Sequence, residues 1–166
     1  MRRSLFLIAL LFVFSGVAHA QDSLRTPSES LEWGDVSPEA LRANDYPADS
    51  NASAVILSDH GSGYFQFNGE IEITHHTRIK ILDEGGYETG TVTVPYYAEQ
   101  NMQDIRDVEG VTYTLDENGE IQEHELDDDD IFEEDIDGEF EQIRFTLPNL
   151  EPGAVIEYRY ELTSKS

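Results

Sequence analysis

The stretch that decides the fold is Tyr64-Phe65-Gln66-Phe67-Asn68-Gly69-Glu70-Ile71-Glu72-Ile73-Thr74-His75-His76-Thr77-Arg78-Ile79-Lys80-Ile81. Asn68-Gly69 separates two apolar runs. Both positions of that dipeptide accept positive φ, so it predicts a β-hairpin. After it, Ile71, Ile73, Thr77, Ile79 and Ile81 share one parity, interrupted only by His75. Glu70, Glu72, Thr74, His76, Arg78 and Lys80 share the other. A helix would scatter these residues around its surface. A strand sends the isoleucines to a core and the charges to water.

The same period of two recurs on both sides. Upstream, Ala54-Val55-Ile56-Leu57 predicts a short strand closed by a turn over Asp59-His60-Gly61-Ser62-Gly63. Downstream, Asp83-Glu84-Gly85-Gly86 turns the chain into a Thr/Val-rich strand over residues 87–94. Val111, Tyr113 and Leu115 alternate before a second hairpin turn, Asp116-Glu117-Asn118-Gly119, with a return over 120–126. Ile143, Phe145 and Leu147 alternate next. After the turn-rich 148–153, Ile156, Tyr158, Tyr160 and Leu162 face one way, and Glu157, Arg159 and Glu161 the other. Some eight short strands with frequent turns predict an all-β domain, an antiparallel β-sandwich over residues 53–166.

Residues 21–52 are polar and loop-like, with Pro27, Pro38 and Pro47. Ser37 as N-cap and Pro38 at the first position permit a short helix through Glu39-Ala40-Leu41-Arg42. Residues 1–20 read as a secretory signal peptide. Arg2 and Arg3 precede an apolar run from Leu5 to Val17, and Ala18-His19-Ala20 places small residues where a signal peptidase cuts. The run is too short for a membrane span, which needs about 20 apolar residues. The product expected from cleavage after Ala20 is exported and soluble, in the periplasm or outside the cell, with no membrane span.

Composition narrows the function. The 166 residues carry 35 Asp and Glu against 10 Lys and Arg, a formal charge of −25, and no cysteine. Lack of cysteine excludes a thiol nucleophile, a disulfide, a thiolate zinc site and a lipoprotein anchor. The charge repels phosphate backbones and anionic membranes, so no nucleic-acid partner is expected. So dense a carboxylate surface, with only two lysines, suits high salt, where self-repulsion is screened.

Several stretches together resemble one bacterial family. They are Trp33-Gly34-Asp35-Val36-Ser37-Pro38-Glu39-Ala40-Leu41, Tyr46-Pro47-Ala48-Asp49 and Ala54-Val55-Ile56-Leu57, then Arg78-Ile79-Lys80-Ile81-Leu82 with Gly85-Gly86, and Pro152-Gly153-Ala154-Val155-Ile156-Glu157-Tyr158-Arg159-Tyr160. The chain resembles domain-of-unknown-function family 3857 over residues 33–163. The resemblance implies an exported β-sandwich that precedes a transglutaminase-like domain. Because this sequence stops just past a strand, it also implies the N-terminal portion of a longer protein or a shortened product. The sandwich is then incomplete at its C-terminal end, with an unpaired edge and oligomers or a weakly cooperative melt. The family's Cys-His-Asp site belongs to the following domain. No residue here matches its cysteine, so no catalytic role carries over.

Other candidate chemistry is sparse. Residues 116–141 hold 15 acids in 26 positions, peaking at Asp127, Asp128, Asp129 and Asp130. These four are the calcium candidates, since hard cations take clustered carboxylate oxygens. The spacing does not fit an EF-hand: with Gly138 at position six, Arg144 falls at position twelve. The plainer reading is a solvated loop. His75 and His76 are adjacent, so on a strand they point to opposite faces and cannot grip one ion together. One is expected half-buried and the other exposed. His60 and His124 lie near turns without a partner at metal-ligand spacing, and Ser62 sits in Gly-Ser-Gly, not in a nucleophile elbow. Tyr64, Phe65, Phe67, Tyr158 and Tyr160 are expected in the core, where aromatics at period two on strands usually lie, with a sugar- or peptide-binding face as the alternative. Asn51-Ala52-Ser53 fits a glycosylation sequon.

The function expected is a non-catalytic exported module without a cofactor. Its partner would be its own downstream transglutaminase-like domain or an envelope protein. The alternative is a carboxylate- or calcium-dependent enzyme or binding module acting on an extracellular polymer.

Overall fold

The computed structural model describes residues 32–165. The expected signal peptide 1–20, its cleavage after Ala20, residues 21–31 and Ser166 lie outside the described residues. Eight antiparallel strands form two sheets. In chain order they are β1 (Ala54–Phe65), β2 (Ile71–Ile81), β3 (Thr91–Tyr97), β4 (Gln103–Leu115), β5 (Ile121–Glu125), β6 (Phe132–Asp135), β7 (Phe140–Thr146) and β8 (Val155–Ser164). The large sheet runs β1-β2-β8-β4-β5 and the small one β3-β7-β6. A five-residue helix, α1 (Pro38–Arg42), precedes them, with the Ala40 N–H donating to the Ser37 hydroxyl as the N-cap reading requires. Among the described residues no helix is long and apolar enough to cross a membrane.

The sandwich core lies between the sheets. Ile79 and Ile81 of β2, Ile156 of β8 and Ile105 of β4 meet Val92 and Tyr96 of β3 and Ile143 and Phe145 of β7. The other face of the large sheet is covered as well. Leu41 of α1 packs with Leu57, Val111, Tyr113 and Val155, flanked by Trp33 and Val36. Residues 32–43 therefore form a strap across the outer face.

The covered second face overturns an expectation. Arg78, Lys80 and Glu157 were expected in water, but they are 2%, 0% and 0% exposed. Alternation identified which residues share a face, but the strap, distant in sequence, decides that both faces are buried. Other departures are local. Residues 59–63 do not turn: β1 runs through them, pairing residue by residue with β2 after a bulge between Ile56 and Ser58. Residues 87–90 are not strand. They belong to a 3₁₀ helix, Glu84–Gly90, started by the Asp83 carboxylate accepting from the Gly85 N–H at 2.7 Å. Of Asn68-Gly69 only Gly69 takes positive φ (90°), in a turn whose Gly69 N–H donates to the Gln66 carbonyl. Residues 116–141 are not one solvated loop, because β5 pairs with β4 and β6 with β7.

One expectation about the periphery also fails. Tyr64, Phe65 and Phe67 are 61%, 85% and fully exposed, at the end of the outermost strand of the large sheet and in the turn that follows it. Tyr158 and Tyr160 do pack against the core. β8 itself is the middle of the large sheet, paired to β2 and β4.

Candidate functional site

The buried charges come together under the strap. Arg78 of β2 and Glu157 of β8 are direct cross-strand partners. Glu157 Oε1 accepts from Arg78 Nη2 at 2.6 Å, Arg78 Nε at 3.1 Å and His76 Nε2 at 2.6 Å. Glu157 Oε2 accepts from the Gly34 N–H at 3.1 Å. Arg78 also donates to the carbonyls of Asp35 and Glu32, each at 2.7 Å. The guanidinium thus joins a sheet carboxylate to two carbonyls of the strap. Gly34 sits at φ 79°, the left-handed region that favours glycine. Trp33 lies beside the cluster, its ring 4.5 Å from the Arg159 guanidinium and 5.6 Å from the His76 ring. Arg159 is itself paired to Glu109 at 2.6 Å.

Lys80 lies two residues farther along β2. Its ammonium donates to the carbonyl of Leu41 at 2.8 Å and to that of Gly153. It therefore ties α1 to the turn before β8. Both acceptors are neutral, so burial dominates and draws the Lys80 pKa down to about 8. Burial alone would raise the Glu157 carboxyl. Hydrogen bonds from His76, Arg78 and Gly34 and the Arg78 charge outweigh it and hold the group below the usual carboxylate range. Burial, and then the nearby Glu157 charge, push the Tyr113 phenol up.

A cavity of about 480 Å³ lies elsewhere, lined in part by Tyr96, Gln103, Arg106, Glu133 and Glu141. The Tyr96 hydroxyl lies 2.9 Å from Glu133 and 2.6 Å from Glu141. Burial first, then these two carboxylates, raise the Tyr96 pKa and keep the phenol neutral.

The residues singled out from sequence are dispersed. Asp127 accepts from the Asp129 N–H at 3.0 Å and caps a 3₁₀ turn, Asp128–Asp130. Among the described residues no three His, Asp or Glu side chains are grouped to hold one metal ion. His75 and His76 do face opposite ways, but both are partly buried. His75 pairs with Asp59 at 2.8 Å and stacks on Tyr160, while His76 enters the cluster. His124 meets the Thr114 hydroxyl at 3.1 Å. His60 and Ser62 lie within β1. Sequence reasoning missed Arg78, Lys80, Glu157 and Trp33 as one group. Their signal was present in the stretches that carried the family resemblance, which contain all four.

A model of the family described as Domain of Unknown Function with solved-structure structure (DUF3857) matches residues 68–166. No curated protein matches the sequence. A crystal structure from Parabacteroides distasonis, carried under the name "putative protease", shares the fold at 15% identity and a TM-score of 0.55. The likeness covers 68% of this chain and 23% of that one, so this chain spans about a quarter of that protein's length.

Proposed function

Since the chain belongs to the DUF3857 family, we propose that it is a non-catalytic, exported β-sandwich module. It acts through contacts, as an accessory domain of a transglutaminase-like protein or as a partner of another envelope protein. One observation carries this reading: the buried ionisable cluster is spent internally. Every bond named for Arg78, Lys80 and Glu157 ends on the strap, on His76, on a neighbouring strand or on the turn before it. A catalytic group must reach a substrate, and these three side chains are sealed beneath residues 32–43. The neutral Tyr96 phenol supports the same reading, since a protonated phenol is a poor base or nucleophile at neutral pH.

Export rests on the signal-like residues 1–20 and on a surface whose charge of −25 suits a salt-rich medium. The test is a panel of fluorogenic amide, peptide and glycoside substrates offered to the purified chain with and without calcium. The reading expects no turnover above buffer and no calcium-dependent shift in melting temperature. Turnover that tracks the chain's concentration, or a saturable calcium shift, would contradict it.

A further inference from the structure

Among the described residues the two sheets have four edges, and three are guarded in ways that natural proteins use against stray pairing. β3 carries Pro95. β5 has five residues with Glu123 and Glu125, and β6 has four with Glu133, Glu134 and Asp135. β1 is different. It is 12 residues long, and residues 59–65 are exposed or half-exposed. Gly61 and Gly63 leave its backbone open, and the exposed rings of Tyr64, Phe65 and Phe67 stand at its end. Between residues 52 and 68 the only acid is Asp59, in a chain of 35 acids, and no Lys or Arg occurs there.

We propose that the β1 edge over residues 59–65, with its aromatic tip, is where a second copy of this chain adds antiparallel, joining two five-stranded sheets. Charge selects this occupant. A cationic peptide would be recognised by carboxylates, and the edge offers one. Two copies at −25 each repel everywhere their acids face one another. They approach with least cost through the segment nearly free of acids. Main-chain hydrogen bonds then supply affinity and the rings supply apolar burial. At molar salt the Debye length falls to about 3 Å, which removes most of the residual repulsion. The proposal is independent of whether the module accompanies an enzyme.

Light scattering on the size-separated full chain in about 2 M NaCl tests it, because surface repulsion is screened there. The expected mass is twice that of one chain. Tyr64→Lys/Phe65→Lys places charge on exposed positions, and Gly61→Lys adds a side chain where a Cβ meets nothing within 4 Å. Each should weaken dimerisation at least tenfold with an unchanged circular-dichroism spectrum. Phe132→Lys, at an exposed position on the β6 edge, should leave the dimer intact. A monomeric wild type in molar salt overturns the proposal. So does a dimer that survives both β1 variants, one lost in Phe132→Lys, or a monomer that takes up a basic strand-forming peptide along β1.

Discussion

Glu157 is the residue on which the strap depends. It satisfies Arg78, His76 and the Gly34 amide at once from a fully buried position. Removing one partner of a buried pair leaves the other charge uncompensated, which costs about 3–5 kcal/mol. Glu157→Gln is expected to lose stability in that range by urea denaturation at neutral pH. Loss below about 1 kcal/mol, the ordinary worth of an exposed pair, would place Glu157 in solvent instead. Lys80 makes a pH prediction. Its folded pKa of about 8 lies below its ordinary 10.5, so the unfolded chain binds more protons between those values. Burying the charged amine costs stability below pH 8, and the cost lifts as pH rises toward 10.5. From about pH 9 upward tyrosine ionisation in the unfolded chain opposes the gain, because phenols such as Tyr96 and Tyr113 are raised in the fold and stay protonated. Stability should therefore rise from pH 8 to about 9, by at most about 1.4 kcal/mol per pH unit. The rise should be absent in Lys80→Met, as read from denaturation midpoints. Thr112 offers a converse case. Its hydroxyl is buried without a hydrogen-bond partner among the described residues. Thr112→Val is expected to leave stability unchanged or raise it by about 1 kcal/mol, since it removes an unpaired polar group at nearly constant volume.

At the scale of elements, the strap and the hairpin show what could and could not be read from sequence. The isoleucine rhythm of β2 was legible because one face meets the small sheet, and period two reports that directly. What lies over the opposite face was not legible. Trp33 and Leu41 reach Arg159 and Lys80 across more than 35 residues of chain, and no local period records such a contact. The composition of Asp59-His60-Gly61-Ser62-Gly63 suggested a turn, yet the hairpin overrides it. A tight turn at Gly69 obliges an 11-residue β2 to find a partner of like length, and β1 must supply it through residue 54. The aromatic tip was misplaced because period two does not report which strand lies at an edge: β1 is outermost in the large sheet, and Tyr64 and Phe65 are exposed at its end. The helix was legible from its cap alone, although five residues cannot stay helical in isolation. Leu41 burial and the Lys80 contact hold it in place. Ser37→Ala is accordingly expected to cost about 1 kcal/mol by thermal melting, the loss of one N-cap. A cost near zero would mean that packing alone sets the start of α1.

For the whole molecule, charge is the dominant quantity. With 35 acids against 10 Lys and Arg, long-range repulsion opposes the compact state most strongly in dilute buffer, where the Debye length is about 10 Å at 0.1 M and longer below that. The melting temperature is expected to rise between dilute buffer and molar NaCl, and a flat or falling profile would remove salt adaptation as the reason for the composition. The buried cations answer a different need. They are not surface counter-charges but the means by which the strap is fixed to the large sheet, so that residues 32–165 behave as one unit. Amide hydrogen exchange on the full chain separates this from a loosely draped segment. Gly34, Leu41 and Ala43, whose amides are bonded to Glu157, Ser37 and Glu39, should exchange slowly and in concert with β2 and β8. Exchange across residues 33–43 within seconds, while β2 and β8 stay protected, would contradict the account.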